Sequence, residues 1–229
     1  TKIQGLGWML IAKLDGLRAA SAFRAQSLPA LVCLTDAPRQ GPFGAIVDAL
    51  AAAGSWVIFR DYAMPPAERA EAAARARELC SARGITLFVA RDLDLALRIG
   101  AEGFHCPQSL IPSMASWRHA HPGLLFSAAC HDEDSLRQAC EAGATFALVS
   151  PVFPTRSHPG VHTMGTAHLR ALVQSVPSLP VYAMGGVTAR TMGELIDAGS
   201  GVAGVAGIDL VADLAGAHIA GERLQGCEI

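Results

Sequence analysis

Two glycines, Gly185 and Gly186, close one apolar run, and Gly201, Gly204 and Gly207 punctuate the next. Glycine at a strand end lets backbone N–H groups approach an anion with no Cβ in the way. Together with Val205 and Ala206, these positions read as a phosphate cradle. The competing reading is that the glycines make tight turns or relieve crowding. Three histidines, His105, His131 and His158, are candidates for proton transfer, because imidazole titrates near neutral pH. Each also has a structural reading. His105 sits in an apolar run and suits a core, and His131 precedes a helix it would orient. His158 and Arg156 lie on a loop that is either a lid or ordinary surface. Arg60 reads as an anion ligand or as the partner of Asp36 or Asp61. The acids of Asp132-Glu133-Asp134 invite a metal, but a helix N-terminus attracts acids on its own. The charge-rich run from Glu68 to Glu78 reads as a solvated helix face, and Trp56 and Trp117 as core.

Something must bring these residues together, and the apolar runs supply it. They are 30–36, 56–61, 86–90, 103–107, 124–130, 146–153, 180–186 and 201–208. Each is short and ends in polar residues or glycine, and alanine-rich amphipathic stretches follow. The stretch 65–84 opens on prolines and closes on Gly84; the stretch 131–144 opens on acids and has glycine just past its helical part. Eight strand–helix units predict an α/β fold, a (β/α)8 TIM barrel with an extra N-terminal helix. A doubly wound open sheet is the alternative, although it usually has fewer strands. No Pro/Gly/Ser-rich linker divides the chain. The expectation is one domain: a helical extension over 1–29, the barrel over 30–215 and a tail over 216–229. Barrel chemistry sits at the carboxyl ends of strands, which singles out Thr35, Asp36, Arg60, Arg91, His105, His131, Ser150, Thr155, His158, Gly185, Gly186 and Ala206.

Composition narrows the partners. The 229 residues carry a formal charge of −2, with no electrostatic footprint for nucleic acid. No run reaches the length of a membrane span, and Lys13 and Asp15 interrupt the opening apolar stretch too early for a signal peptide. Cysteines 33, 80, 106, 130, 140 and 227 show no metal-ligand spacing. They read as small core residues of a reducing, cytoplasmic compartment. The expected partner is a small molecule; a homo-oligomer is compatible with the sequence, which does not fix the oligomeric state.

The motifs then resemble those of a known family. "LTD" on the first strand, "FRD" on the second and "GFHCPQ" on the fourth are similar to thiamine phosphate synthase and its TenI-like relatives. So are "SPVFPTRSHPG", "AMGGV" and "GVAGVAGI" on the sixth to eighth. The resemblance runs from about residue 30 to 210 and implies a barrel that binds a thiazole phosphate. In the synthase, a hydroxymethylpyrimidine diphosphate ionises, pyrophosphate leaves, and the thiazole nitrogen attacks the pyrimidine cation. Mg²⁺ and cationic side chains stabilise the leaving diphosphate.

The resemblance assigns substrate or phosphate binding to Arg60, Gln108, Thr155, Ser157, Gly185, Gly186, Val205 and Ala206, and agrees at His105 and His131. Other positions depart from the pattern. Arg91 and Leu110 stand where the two Mg²⁺-binding aspartates are expected, with Asp92 one residue off register, and His158 stands where a lysine is expected. Ala129 replaces a serine, and Pro151 replaces the histidine of the TenI-like tautomerases, whose proton-transfer role passes to His105, His131 or His158. The implied activity is thiamine phosphate synthesis. The alternatives are a metal-free thiazole isomerase or a catalytically silent binder of thiazole phosphate or thiamine phosphate. A barrel acting on another phosphorylated substrate, such as an epimerase, is a further option. Hard oxygen ligands are what Mg²⁺ requires, so ligand affinity is expected to be insensitive to it.

Overall fold

The structure, a computed structural model, describes residues 10, 12–17, 19, 21, 28–155, 157 and 160–210. His158 and Arg156 therefore lie outside the described residues, as do most of the predicted extension and the whole predicted tail. Residues 12–17 are helical, as expected.

Eight parallel strands close into a barrel in sequence order. They are β1 (Leu31–Leu34), β2 (Trp56–Phe59), β3 (Leu87–Ala90), β4 (Gly103–Cys106), β5 (Leu125–Cys130), β6 (Phe146–Val149), β7 (Val181–Met184) and β8 (Gly204–Gly207). Each falls inside one of the eight predicted apolar runs. Around them lie α1 (Ala37–Gln40), α2 (Val47–Ala52), α3 (Pro66–Ser81), α4 (Leu93–Arg98), α5 (Ile111–Ala120), α6 (Glu133–Glu141), α7 (Gly165–Ser175) and α8 (Ala189–Asp197). Following the strand partners once around the ring requires a two-residue step at β2, β5, β6 and β8. Those steps accumulate to the shear of eight characteristic of this barrel.

Alternate residues point inward. Phe88, Phe146 and Tyr182 are fully buried in the lumen and stack in sequence, with ring centroids 5.3 and 5.2 Å apart. Trp56 joins them 5.7 Å from Phe88. Two inward glycines make room for these rings. A Cβ on Gly103 would sit 2.2 Å from Phe88, and one on Gly204 would sit 2.5 Å from the Ala30 carbonyl. Gly204, expected as part of a phosphate cradle, is therefore a packing residue.

Outside, the strands' other faces meet alanine- and leucine-rich helices. Helix α3 begins at Pro66 and buries Ala73, Ala76 and Cys80. Its charged run is not simply a solvated face. Arg69 donates Nε to the Arg60 carbonyl and Nη2 to the Ala90 carbonyl, and Arg77 pairs with Glu102 at 2.6 Å. These arginines fasten the helix to β2, β3 and the β3–β4 region. The acids at the start of α6 also resolve structurally. Asp132 accepts from Ser135 N at 2.7 Å in a capping box, and Glu133 and Asp134 pair with Arg137. Burial pushes the thiols of Cys33, Cys80, Cys106 and Cys130 up to about 12, consistent with inert core residues. Trp117 packs edge-on against Phe104. No described helix is long and apolar enough to cross a membrane.

Candidate functional site

At the carboxyl ends of the strands lies a cavity of about 720 Å³. It brings together Arg60, His131, Thr155, Ser157, Gly185, Gly186 and Ala206 from the predicted set. Of the described residues read as catalytic or as substrate-binding, three stay outside it, as do Thr35, Asp36 and Arg91 from the wider set of strand-end positions. His105 is buried below and shares a hydrogen bond with Ser127 Oγ at 2.9 Å. Gln108 turns instead toward Asp132, at 3.3 Å. Val205 is a correction on geometry: its side chain packs in the outer core, and its N–H donates to the Ala30 carbonyl at 3.0 Å.

The cradle itself follows from backbone conformation. Gly185 and Gly186 adopt φ +89° and +65°, which glycine alone adopts without cost. This sharp turn brings the end of β7 against the loop after β6. Val152 N donates to the Met184 carbonyl at 2.9 Å and Phe153 N to the Gly185 carbonyl at 3.0 Å. Both glycine readings therefore apply, because each missing Cβ also admits this loop. Among the described residues, the N–H groups of Gly185, Gly186, Val187 and Ile208 have no protein acceptor. Gly185, Gly186, Val187 and Ile208 line the cavity, and four unpaired donors there are suited to an anion.

His131 carries the clearest chemistry. Its Nδ1 lies 2.6 Å from the Ser150 carbonyl oxygen. A carbonyl only accepts, so Nδ1 holds the proton in the neutral ring and Nε2 keeps a free lone pair. His105 is the opposite case. Burial, reinforced by Arg60 and Arg91, lowers its pKa from 6.5 to about 3. It is neutral at physiological pH, which matches the core reading.

Arg60 does not pair with Asp36 or Asp61. The Asp61 carboxylate accepts from Thr35 Oγ1 at 2.6 Å and from Ala37 N at 2.7 Å. The sequence did not single out Arg39, His162, His168 or Thr188, which also line the cavity. Arg39 bridges three elements, donating to Ser157 Oγ at 2.9 Å and pairing with Asp209 beyond β8. Its position three residues past the "LTD" end of β1 was the available signal.

The residues at the expected metal positions do not fit a divalent cation. Leu110 packs against the core, and Arg91 is itself a cation. The neighbouring Asp92 carboxylate caps α4 through Leu95 N at 2.8 Å and pairs with Arg69 at 3.3 Å.

An eight-stranded parallel barrel with a cavity and free donors at its carboxyl mouth defines a (β/α)8 barrel of the small-ligand type. This chain belongs to the thiamine monophosphate synthase family, whose model matches residues 31–211. It is 35% identical over 167 residues to a bifunctional thiamine biosynthesis protein of Symbiobacterium thermophilum, covering 72% of this chain and 34% of that one. It is 36% identical over 157 residues to the thiamine-phosphate synthase of Deinococcus radiodurans, covering 67% of this chain and 55% of that one. The chain thus spans well under two thirds of either relative. With the thiamine-phosphate synthase of Salinispora arenicola it shares 34% over 200 residues, 85% of this chain and 96% of that one. The thiamine phosphate pyrophosphorylase of Pyrococcus furiosus shares the fold, with a TM-score of 0.69 and 24% identity over 86% of this chain and 97% of that one.

Proposed function

We propose that this chain binds a thiazole phosphate at the carboxyl mouth of its barrel and, as a thiamine phosphate synthase, joins it to hydroxymethylpyrimidine diphosphate with release of pyrophosphate. The observation that carries the reading is the set of unpaired N–H groups at Gly185, Gly186, Val187 and Ile208 in the central cavity. These donors take the phosphate, and Met184, Pro154 and Ala206 offer apolar surface to the ring. Titration calorimetry with the thiazole phosphate and with its unphosphorylated alcohol tests this. The phosphate binds at least about tenfold more tightly if several charge-assisted hydrogen bonds form. Equal affinities remove the cradle. Turnover with the pyrimidine diphosphate then separates a synthase from a silent binder.

A second reading is favoured by one specific observation, the bond that fixes the His131 tautomer. A bare Nε2 in the cavity suits proton transfer on a thiazole carboxylate phosphate, with no metal in the step. On this reading His131→Gln abolishes isomerisation and leaves thiazole phosphate affinity within about threefold, because general acid–base groups contribute to rate far more than to binding. Retained isomerisation in that variant removes His131 from the reaction.

A further inference from the structure

Beside the central cavity the barrel mouth carries a second cationic feature. Tyr62 follows β2, is 41% exposed, and is ringed by guanidinium groups. The Arg91 and Arg60 guanidinium carbons lie 4.6 and 5.6 Å from its ring centroid, and Arg69 lies 5.6 Å away. Arg69 is committed to the Arg60 and Ala90 carbonyls and to Asp92. Arg60 and Arg91 have no carboxylate within ion-pair distance among the described residues. Asp36, Asp61 and Glu68 border the adjoining crevice, and Asp92 and Asp94 border the hollow beside Arg91, without pairing to either arginine.

Two guanidinium groups gathered against one aromatic ring with no carboxylate paired to either leave their donors free for an anion. Their side chains are also placed deliberately. Arg91 has φ +67°, a left-handed conformation uncommon outside glycine. Such an outlier at a strand end points to function rather than packing. Arg60 borders the central cavity, and Arg91 borders the hollow next to it, with Tyr62 between them. The two ring distances cap the guanidinium separation at about 10 Å, a span that one diphosphate with a guanidinium at each end can fill. Both charges also reach His105 beneath, where they add to the lowering of its pKa.

We infer that Arg60 and Arg91, braced on Tyr62, form a metal-independent site for a diphosphate group, in which the Arg91 guanidinium supplies the positive charge that carboxylate-bound Mg²⁺ would otherwise bring. The inference deepens the proposed function, because the site would hold the diphosphate of the second substrate. It has its own probe, inorganic pyrophosphate.

The test is a calorimetric titration of pyrophosphate into the full chain, once in EDTA and once in excess Mg²⁺. The dissociation constants agree within about threefold, and Arg91→Gly weakens binding about tenfold or more, as expected for losing a charged donor. Glycine is the chosen replacement because φ +67° suits it, so the variant removes the guanidinium and keeps the backbone. A tightening of more than tenfold by Mg²⁺, or unchanged pyrophosphate affinity in Arg91→Gly, overturns the inference. Thiazole phosphate affinity measured on the same samples reports on the glycine cradle alone. Its loss in the unmodified chain would sink the proposed function and leave the pyrophosphate result standing.

Discussion

A Cβ added at Gly186 would lie 2.4 Å from the Pro154 carbonyl oxygen, and the φ of +65° there disfavours any side chain. Gly186→Ala is therefore expected to cost about 1–3 kcal/mol of stability, visible as a lower denaturant midpoint. Because the loop after β6 must move, thiazole phosphate affinity falls in the same variant. His105 gives a prediction with a sign. Its pKa is about 3 in the folded chain against 6.5 in the unfolded one, so the unfolded state takes up the proton first. Its contribution is complete above pH 6.5 and is lost as pH falls toward 3. The loss runs at up to about 1.4 kcal/mol per pH unit. Urea unfolding of His105→Asn between pH 7 and 4 should show a flatter dependence than the parent. Parallel curves would mean that the imidazole is solvated and not the core group described here.

Elements hold these residues in place through contacts that composition does not display. Strands β3 and β4 illustrate this, because Gly103 exists to admit the Phe88 ring. A Cβ would meet three ring atoms at 2.2–2.7 Å. Gly103→Ala is expected to destabilise by about 1–3 kcal/mol, and the double variant with Phe88→Leu to recover part of that loss. Additive losses in thermal unfolding would show that ring and glycine do not share space. Helix α3 makes the complementary case. Its sequence reads as a charged surface, yet Arg69 is bonded to the carbonyl of Arg60, at the end of β2, and to that of Ala90, in β3. Periodicity identifies the helix and says nothing about long side chains that turn back beneath it.

At the scale of the molecule, the barrel has a filled lumen and a cavity at its carboxyl mouth. The lumen is filled by the aromatic stack, and the Tyr182 hydroxyl donates to the Pro29 carbonyl at 2.6 Å. The described N-terminal helical residues lie along α8. Lys13 Nζ donates to the Ala189 carbonyl at 2.6 Å, and Leu10, Leu14 and Leu17 are buried. Helix α8 begins next to Thr188, which lines the ligand cavity, so this packing supports the mouth from outside. Leu14→Asp is expected to destabilise by at least about 2 kcal/mol, the cost of losing a buried leucine and burying a charge. An unchanged melting temperature would detach the N-terminal segment from the folded unit.

The sequence by itself determined the architecture. Eight short apolar runs, each closed by polar residues or glycine, can be buried on both faces only by helices outside and by one another inside, and all eight became strands. It also marked Gly185 and Gly186 as the turn at the end of β7; the reading of Arg91 and Leu110 as replacements for carboxylates came from the family resemblance. Tertiary structure decided which candidates meet. It took His105 into the lumen beside Ser127 and turned Val205 outward into the ladder. It brought in Arg39, which lies more than a hundred residues from its partners Ser157 and Asp209. The physical reason is that strand periodicity fixes which face a residue takes. Loop closure and long-range hydrogen bonds decide where a strand-end side chain goes and which N–H groups are left without a partner. A guanidinium is a surface charge by composition; only the fold set those of Arg60 and Arg91 against Tyr62, with no carboxylate of the described residues within ion-pair distance.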